Sequence, residues 1–336
     1  MDLFSLRAGL VLAVGLAASI PGWASPTFTC AANIDAANAG TCAFLNNTIN
    51  GVASLYDAQF TNATASVYLT YGVTGLGSST QYYDYRTYTA YYNALIANAV
   101  GANDAISNAT LGGGANNPVV PGSQIAMTSA LITALGLGSG TGIDVTQAAC
   151  VLGGAGCYNG FITLTNAQPW NYRNSVNNGS QYDFYEVVQH EFNEVLGTSS
   201  CLTTVSGAPG LGANCVNATG ASDLFRYSAA GTRSFLATAN GSLAYFSIDG
   251  GVTNIAGYNN SPNGSDYGDW SAGPNRVQNA SGSPGVPGVD IANQEIRVLD
   301  AIGYKIGAPS AVPEPSTYAL FGSGLLLLAG YRRFRA

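Results

Sequence analysis

The 336-residue chain contains one histidine, two methionines and few charges; only 9% of its residues are Asp, Glu, Lys or Arg. A single imidazole rules out a metal centre built on two or three histidines. The C-x-x-C spacing of zinc fingers is missing as well. Eleven basic against eighteen acidic side chains leave a net charge of −7, with no basic stripe outside the termini, which excludes nucleic acid as a partner. No fixed-period repeat is present, so repeat architectures are excluded too.

What is present is apolar and rich in glycine. Hydrophobic residues make up 47% of the chain, with 43 Gly, 20 Tyr and 12 Phe. That composition builds a core and many loops and is not that of a disordered chain. The six cysteines, Cys30, Cys42, Cys150, Cys157, Cys201 and Cys215, form three sequence-neighbouring pairs flanked by Gly, Asn or Ala. Short loops are the least costly to close. An even count in an oxidising compartment therefore predicts the disulfides Cys30–Cys42, Cys150–Cys157 and Cys201–Cys215.

Both ends read as export signals. Arg7, the apolar stretch Ala8 to Ile20 and the small residues Gly22 and Ala24 predict a signal peptide over 1–24, cut after Ala24 by signal peptidase. At the other end, Val312-Pro313-Glu314-Pro315-Ser316-Thr317 precedes an apolar run from Tyr318 to Tyr331 and then Arg332, Arg333 and Arg335. The basic end belongs on the cytoplasmic side. The run is shorter than the ~20 residues that span a bilayer well. This arrangement resembles the PEP-CTERM sorting signal read by exosortases in Gram-negative bacteria, with Pro313, Glu314 and Pro315 as its motif. The resemblance implies a sorting segment over 309–336, transient inner-membrane anchoring by a C-terminal transmembrane helix, and exosortase as a partner. The protein would then pass to the cell surface, the extracellular matrix or the medium.

Residues 25–308 remain for the working part, enough for one large domain or two modest ones. Val67 to Val73 and Gly160 to Thr165 read as strands. Tyr88 to Val100, Ser123 to Leu137 and Ile291 to Ile302 read as helices, and Asn174 to Ser180 as a turn region. The helix that carries chemistry runs from Asp183 to Leu196. At 100° per residue, Phe184, Val188, Phe192 and Val195 share one side, and Asp183, Glu186, His190 and Glu194 the other. Gly197 ends it.

His190, the sole histidine, precedes Glu191 and stands four residues before Glu194. In H-E-x-x-H, the two imidazoles at i and i+4 hold zinc and the intervening Glu acts as base toward water. Here Glu194 takes the second place, and a carboxylate also ligates zinc. The stretch Tyr182 to Gly197 resembles the active-site helix of the zincin superfamily. It is more narrowly similar to PEP-CTERM-bearing metalloproteases whose second His is replaced by Glu. Asp223 to Ser228, Asp266 to Trp270 and Glu295 to Tyr304 fit the same group.

The resemblance implies an α+β, zincin-like metallopeptidase domain over 25–308, with a central active-site helix and a loop-rich C-terminal half. It also implies a strand near Ile162 to Thr165 along the cleft edge, and a turn near Asp223 to Tyr227 beside the metal. Leu224 and Phe225 stand where related enzymes carry a methionine, and Ser200, a poor zinc ligand, where the longer motif has its third donor. Asp223 is the expected third ligand, with Glu186, one turn before His190, as the second choice.

The function expected is zinc-dependent hydrolysis of a protein or peptide substrate. His190, Glu194 and Asp223 would hold the metal, with Glu191 as the catalytic base. Two carboxylates beside one imidazole weaken zinc's pull on water. The alternative is therefore an inactive surface or exopolysaccharide-matrix protein on the same fold. Trp270 could line a sugar-binding cleft or simply pack. Arg226 and Arg233 could pair with Asp223 or Asp249, and Tyr227 or Tyr258 could steady an oxyanion.

The two end signals predict the mass of the released protein. It should begin at Ser25 and lack the apolar tail when cells contain an exosortase. Intact-mass measurement checks this, and released protein that still carries Tyr318 to Ala336 would refute the tail assignment.

Overall fold

The computed structural model describes residues 25–47, 49–119, 123–202, 215, 218–234, 243–260, 266–271 and 273–307. The expected signal peptide over 1–24 and the sorting segment, including Pro313, Glu314 and Pro315, lie outside them. Among the described residues eleven strands precede the central helix: β1 (Thr27–Cys30), β2 (Ser66–Gly72), β3 (Gly77–Thr80), β4 (Tyr83–Thr87), β5 (Gln124–Thr128), β6 (Thr141–Asp144), β7 (Ala149–Val151), β8 (Cys157–Tyr158), β9 (Gly160–Thr165) and the two-residue β10 (Trp170–Asn171) and β11 (Tyr182–Asp183). The helices are α1 (Ala32–Ala37), α2 (Thr41–Leu45), α3 (Val52–Asp57), α4 (Tyr88–Asn98), α5 (Ala102–Ala109), α6 (Ser129–Ala134), α7 (Phe184–Leu196) and α8 (Asn293–Ile302). Mixed small sheets with segregated helices make this an α+β arrangement.

The main sheet runs β1-β2-β9-β3. β2 and β9 pair in parallel with Leu69 opposite Ile162, and β3 closes the sheet antiparallel to β9. Val67, Leu69, Ile162 and Leu164 are fully buried, as alternation along a half-covered strand requires. Helix α7 packs on β9 and β3, with α3, α6 and α8 around it. Its face of Phe184, Val188, Phe192 and Val195 is wholly buried, and each such side chain contributes about 1.5–3 kcal/mol. Phe192 meets Phe28 and Tyr56 edge-on at centroid distances of 5.2 and 4.7 Å.

Three disulfides join Cys30–Cys42, Cys150–Cys157 and Cys201–Cys215, with Cα separations of 5.9, 5.9 and 5.6 Å. The pairs are the sequence-neighbouring ones.

Three local expectations are corrected. Ser123 to Leu137 is not one helix: β5 occupies Gln124–Thr128, and α6 starts after Thr128, whose side chain caps it by accepting from the Leu131 amide. Pairing of β5 with β4 outweighs the helical spacing of Ala126 and Ala130. Asp183 is the N-cap of α7 and not a residue of its polar face; its carboxylate accepts from the Glu186 amide at 2.8 Å. The strand over Ile162 to Thr165 is not the edge, because β3 lies outside it. Between α7 and α8 the described residues form short strands, loops and one 3-10 turn over Ser222–Phe225, and α8 begins two residues later than Ile291. Among the described residues no helix is long and apolar enough to cross a membrane.

Where α5 packs on α8, the carboxyls of Asp104 and Asp300 are both buried. Burial, then the Asp104 charge, pushes Asp300 up to about 7. The fold thus holds the Asp300 proton more tightly than the unfolded chain does, and stability falls as pH rises from about 4 to about 7. Asp300→Asn does not titrate. It should raise Tm by about 5 °C at pH 8 and change it little at pH 4. Scanning calorimetry at the two pH values checks this, and equal shifts at both would refute the raised Asp300 carboxyl.

Candidate functional site

Helix α7 is anchored at both ends. Arg173 pairs with the capping Asp183 at 2.8 Å and with Asp290 at 2.7 Å. Gly197, at φ +115°, takes the left-handed turn that stops the helix, its amide donating to Asn193 and Glu194 carbonyls. Between the anchors, Glu186, Val187, His190, Glu191 and Glu194 line one wall of a cleft of about 830 Å³. The residues 75–79, reaching into edge strand β3, form the facing wall, and Asp266, Asp269, Val277 and Gly282 complete the lining. Strand and helix approach so closely at Gly77 that a Cβ there would collide with the Glu191 carboxylate.

The imidazole is oriented by the chain. His190 Nδ1 lies 3.0 Å from the Val277 carbonyl, which only accepts, so Nδ1 carries a hydrogen. Nε2 then faces Glu194 Oε1 at 3.7 Å and Asp269 Oδ1 at 3.5 Å. One donor atom from each of these three side chains lies within 4.8 Å of the other two. One nitrogen and two carboxylate oxygens are a donor set that zinc accepts. An imidazole tied through its other nitrogen to a backbone carbonyl is the usual arrangement for a metal ligand. The residues fit a divalent cation.

Each carboxylate has its own support. Ser79 Oγ donates to Glu194 Oε2 at 2.5 Å, and Gln278 Nε2 to Asp269 Oδ1 at 3.0 Å. The Ser200 and Gly268 amides donate to Asp266 Oδ1 at 3.0 and 2.7 Å. Glu191 is 5% exposed.

Crowded together, these acids hold their protons. Burial, then the Glu194 charge, pushes Glu191 well above its ordinary value. Glu194 rises through burial and Asp269. Burial and Glu194 push Asp266 up to about 7, and burial pushes Asp269 up to about 6 against the pull of His190. For His190 itself burial disfavours the charge, but Asp269, Glu191 and Glu194 outweigh it and raise the imidazole to about 9.

Of the residues singled out in the sequence, His190, Glu191 and Glu194 come together here. Asp223 does not join them. Its carboxylate accepts from Ser200 Oγ at 2.6 Å and from the Cys201 and Gly220 amides at 2.9 and 3.1 Å. Glu186 lines the cleft one turn before His190, with Oε2 accepting from the Val289 amide at 3.0 Å, and is not in the converging group.

The third side chain of the converging group is Asp269, in a stretch the sequence had marked without assigning it a ligand. Trp270 is packing: it is fully buried, with Nε1 donating to Glu295 at 2.9 Å. Arg226 donates to the Tyr267 carbonyl and to Asn260, and Arg233 to the carbonyls of Leu224 and Thr110. Neither reaches Asp223 or Asp249 as an ion pair among the described residues. Tyr227 and Tyr258 are buried outside the cleft lining.

Residues 311–333 match the PEP-CTERM protein-sorting motif. The motif marks an exported protein directed to the cell surface, with its C-terminus processed by exosortase. No curated protein and no solved structure matches the chain.

The raised imidazole gives a test in protein stripped of divalent cations. With one histidine in the chain, its NMR signal is unambiguous and should titrate at about 9. The stability contributed by the charged ring is whole below about 6.5 and is lost as pH climbs through about 9. The raised carboxylates act in the same direction, since they too bind protons more tightly in the fold. Tm should therefore be lower at pH 9 than at pH 6.5; a rise over that interval would refute this reading of the cluster.

Proposed function

We propose that the chain is an exported zinc-dependent metallopeptidase with a zincin-like fold, in which His190, Glu194 and Asp269 hold the metal and Glu191 is the base. The observation that carries the reading is the convergence of these three donors beside a buried glutamate, in a cleft walled by a strand edge.

Zinc, when bound, supplies a Lewis acid that acidifies water and polarises a carbonyl. Glu191 accepts a proton at its carboxylate and returns it to the leaving amine. Burial beside Glu194 raises its affinity for protons, which favours the uptake step. The β3 edge offers backbone donors and acceptors to an extended peptide laid along the cleft. Gly77 brings that edge down onto Glu191, which aligns a bound backbone with the base. His190, Glu194 and Asp269 lie on two different elements, so their spacing depends on the packing of α7 against the 266–282 segment.

Zinc content and turnover test the proposal separately. The purified protein should hold one zinc per chain by elemental analysis. Glu191→Gln should keep the zinc and lose at least ~100-fold of any peptidase activity. His190→Ala should lose both. Protein that carries no zinc and cleaves no peptide would be the surface or matrix scaffold instead.

A further inference from the structure

The hydrogen bond that Gln278 gives to Asp269 ends a chain that crosses the core. Tyr56 on α3, Asn193 on α7, Gln278 and Asp269 are 0%, 0%, 1% and 3% exposed. Tyr56 Oη donates to Asn193 Oδ1 at 2.7 Å, with the Gln189 carbonyl 3.1 Å away. Asn193 Nδ2 donates to Gln278 Oε1 at 3.0 Å, and Gln278 Nε2 to Asp269 Oδ1 at 3.0 Å.

The direction of this chain has one solution when Asp269 is ionised. A carboxylate only accepts, so Gln278 must present its NH₂ to the cleft. Gln278 Oε1 then needs a donor, which is Asn193 Nδ2. Asn193 Oδ1 needs one in turn, which is the Tyr56 hydroxyl. Turning either amide over would set oxygen against oxygen in the interior, at the cost of buried groups left unpaired.

The backbone reinforces the order. Trp270, next to Asp269, donates its amide to the Gln278 carbonyl at 2.7 Å. The Gln278 amide donates to Glu295 Oε1, which also holds the Trp270 indole. Gln278 Nε2 also lies 3.5 Å from His190 Nε2, so the amide sits against two of the three donor atoms.

We propose that Gln278 is a positioning residue for the metal, aimed by Asn193 and Tyr56, whose amide fixes the Asp269 carboxylate in the rotamer that faces His190 Nε2. This rests on the metal reading proposed above. Asp269 lies in a loop, whereas His190 and Glu194 share a helix. It is therefore the one donor whose place is not set by its own secondary structure, and the relay supplies what a helix would.

The test is zinc affinity of the full exported chain, measured by competition with a chromophoric chelator below the melting temperature of the metal-free protein. Gln278→Met keeps the shape and removes the donors; it should weaken zinc binding by about 10–100-fold. Asn193→Ala should weaken it as well. The double variant should bind no worse than Gln278→Met alone, because Asn193 acts through Gln278. Cobalt in place of zinc should show an altered visible spectrum in both single variants, which a change in stability alone would not produce.

Should Gln278→Met not fold, Tyr56→Phe, which keeps the ring packed on Phe192, still reads the relay; it should weaken binding about threefold. Unchanged zinc affinity in Gln278→Met, or losses that multiply in the double variant, would overturn the proposal. Wild-type protein that binds neither metal would instead defeat the metal reading on which it rests.

Discussion

Everything at the cleft depends on one constraint: helix α7 is a core element and a charged one at once. Ten of its thirteen residues are buried, among them Glu191 and Glu194. A buried carboxylate is costly unless a counter-charge or hydrogen bonds replace water. The fold supplies several answers side by side. Ser79 and backbone amides take oxygens of Glu194 and Asp266, the Gln278 amide takes one from Asp269, and the only imidazole in the chain supplies positive charge. One imidazolium cannot balance four acids, so protons make up the difference. A bound cation would do the same with fewer protons, and binding it would release them.

The loops that bring acids to this helix are tied down in sequence. The Cys201–Cys215 disulfide and Asp223 fix the 199–201 turn, because Asp223 accepts from Ser200 and Cys201 while bonding the Gly220 amide. Ser200 then gives its own amide to Asp266. Asp223 thus supports the cleft at one remove, through Ser200 and then Asp266. Its burial and multiple donors suit a residue that organises loops, and leave little carboxylate free for a metal.

What could be read from the sequence was local. The two faces of α7 follow from 3.6-residue periodicity, and His190 with Glu194 from the i, i+4 spacing that puts them side by side. The disulfides follow from short loops, and β2 and β9 from alternation. Asp269 and Gln278 lie 79 and 88 residues beyond His190 in irregular chain, and no periodicity connects them to it. The edge strand β3 reads Gly-Ser-Ser-Thr, with no apolar side chain to mark it, since a strand that opens on a cleft has little to bury on that side. The split at Thr128 was hidden for the opposite reason: Ile125 to Thr128 of β5 and Ser129 to Ile132 of α6 are all buried, and buried strands and helices look alike as apolar runs.

The distribution of charge sets the cleft apart from the rest of the described residues. Only eighteen acidic residues occur in the chain, yet five of them, Glu186, Glu191, Glu194, Asp266 and Asp269, line one cleft together with its only histidine. Spread over the surface, those acids would cost nothing and aid solubility. Gathered in one cleft, with Glu191, Glu194 and Asp269 buried, they hold unwanted protons and repel one another, a local conflict of the kind that folds tolerate at functional sites. The apolar face of α7 shows no such concession: Phe184, Val188, Phe192 and Val195 are sealed there. The helix thus spends its apolar side on holding its polar side in place. The proposed cation, held by His190, Glu194 and Asp269, would give that polar side a physical reason.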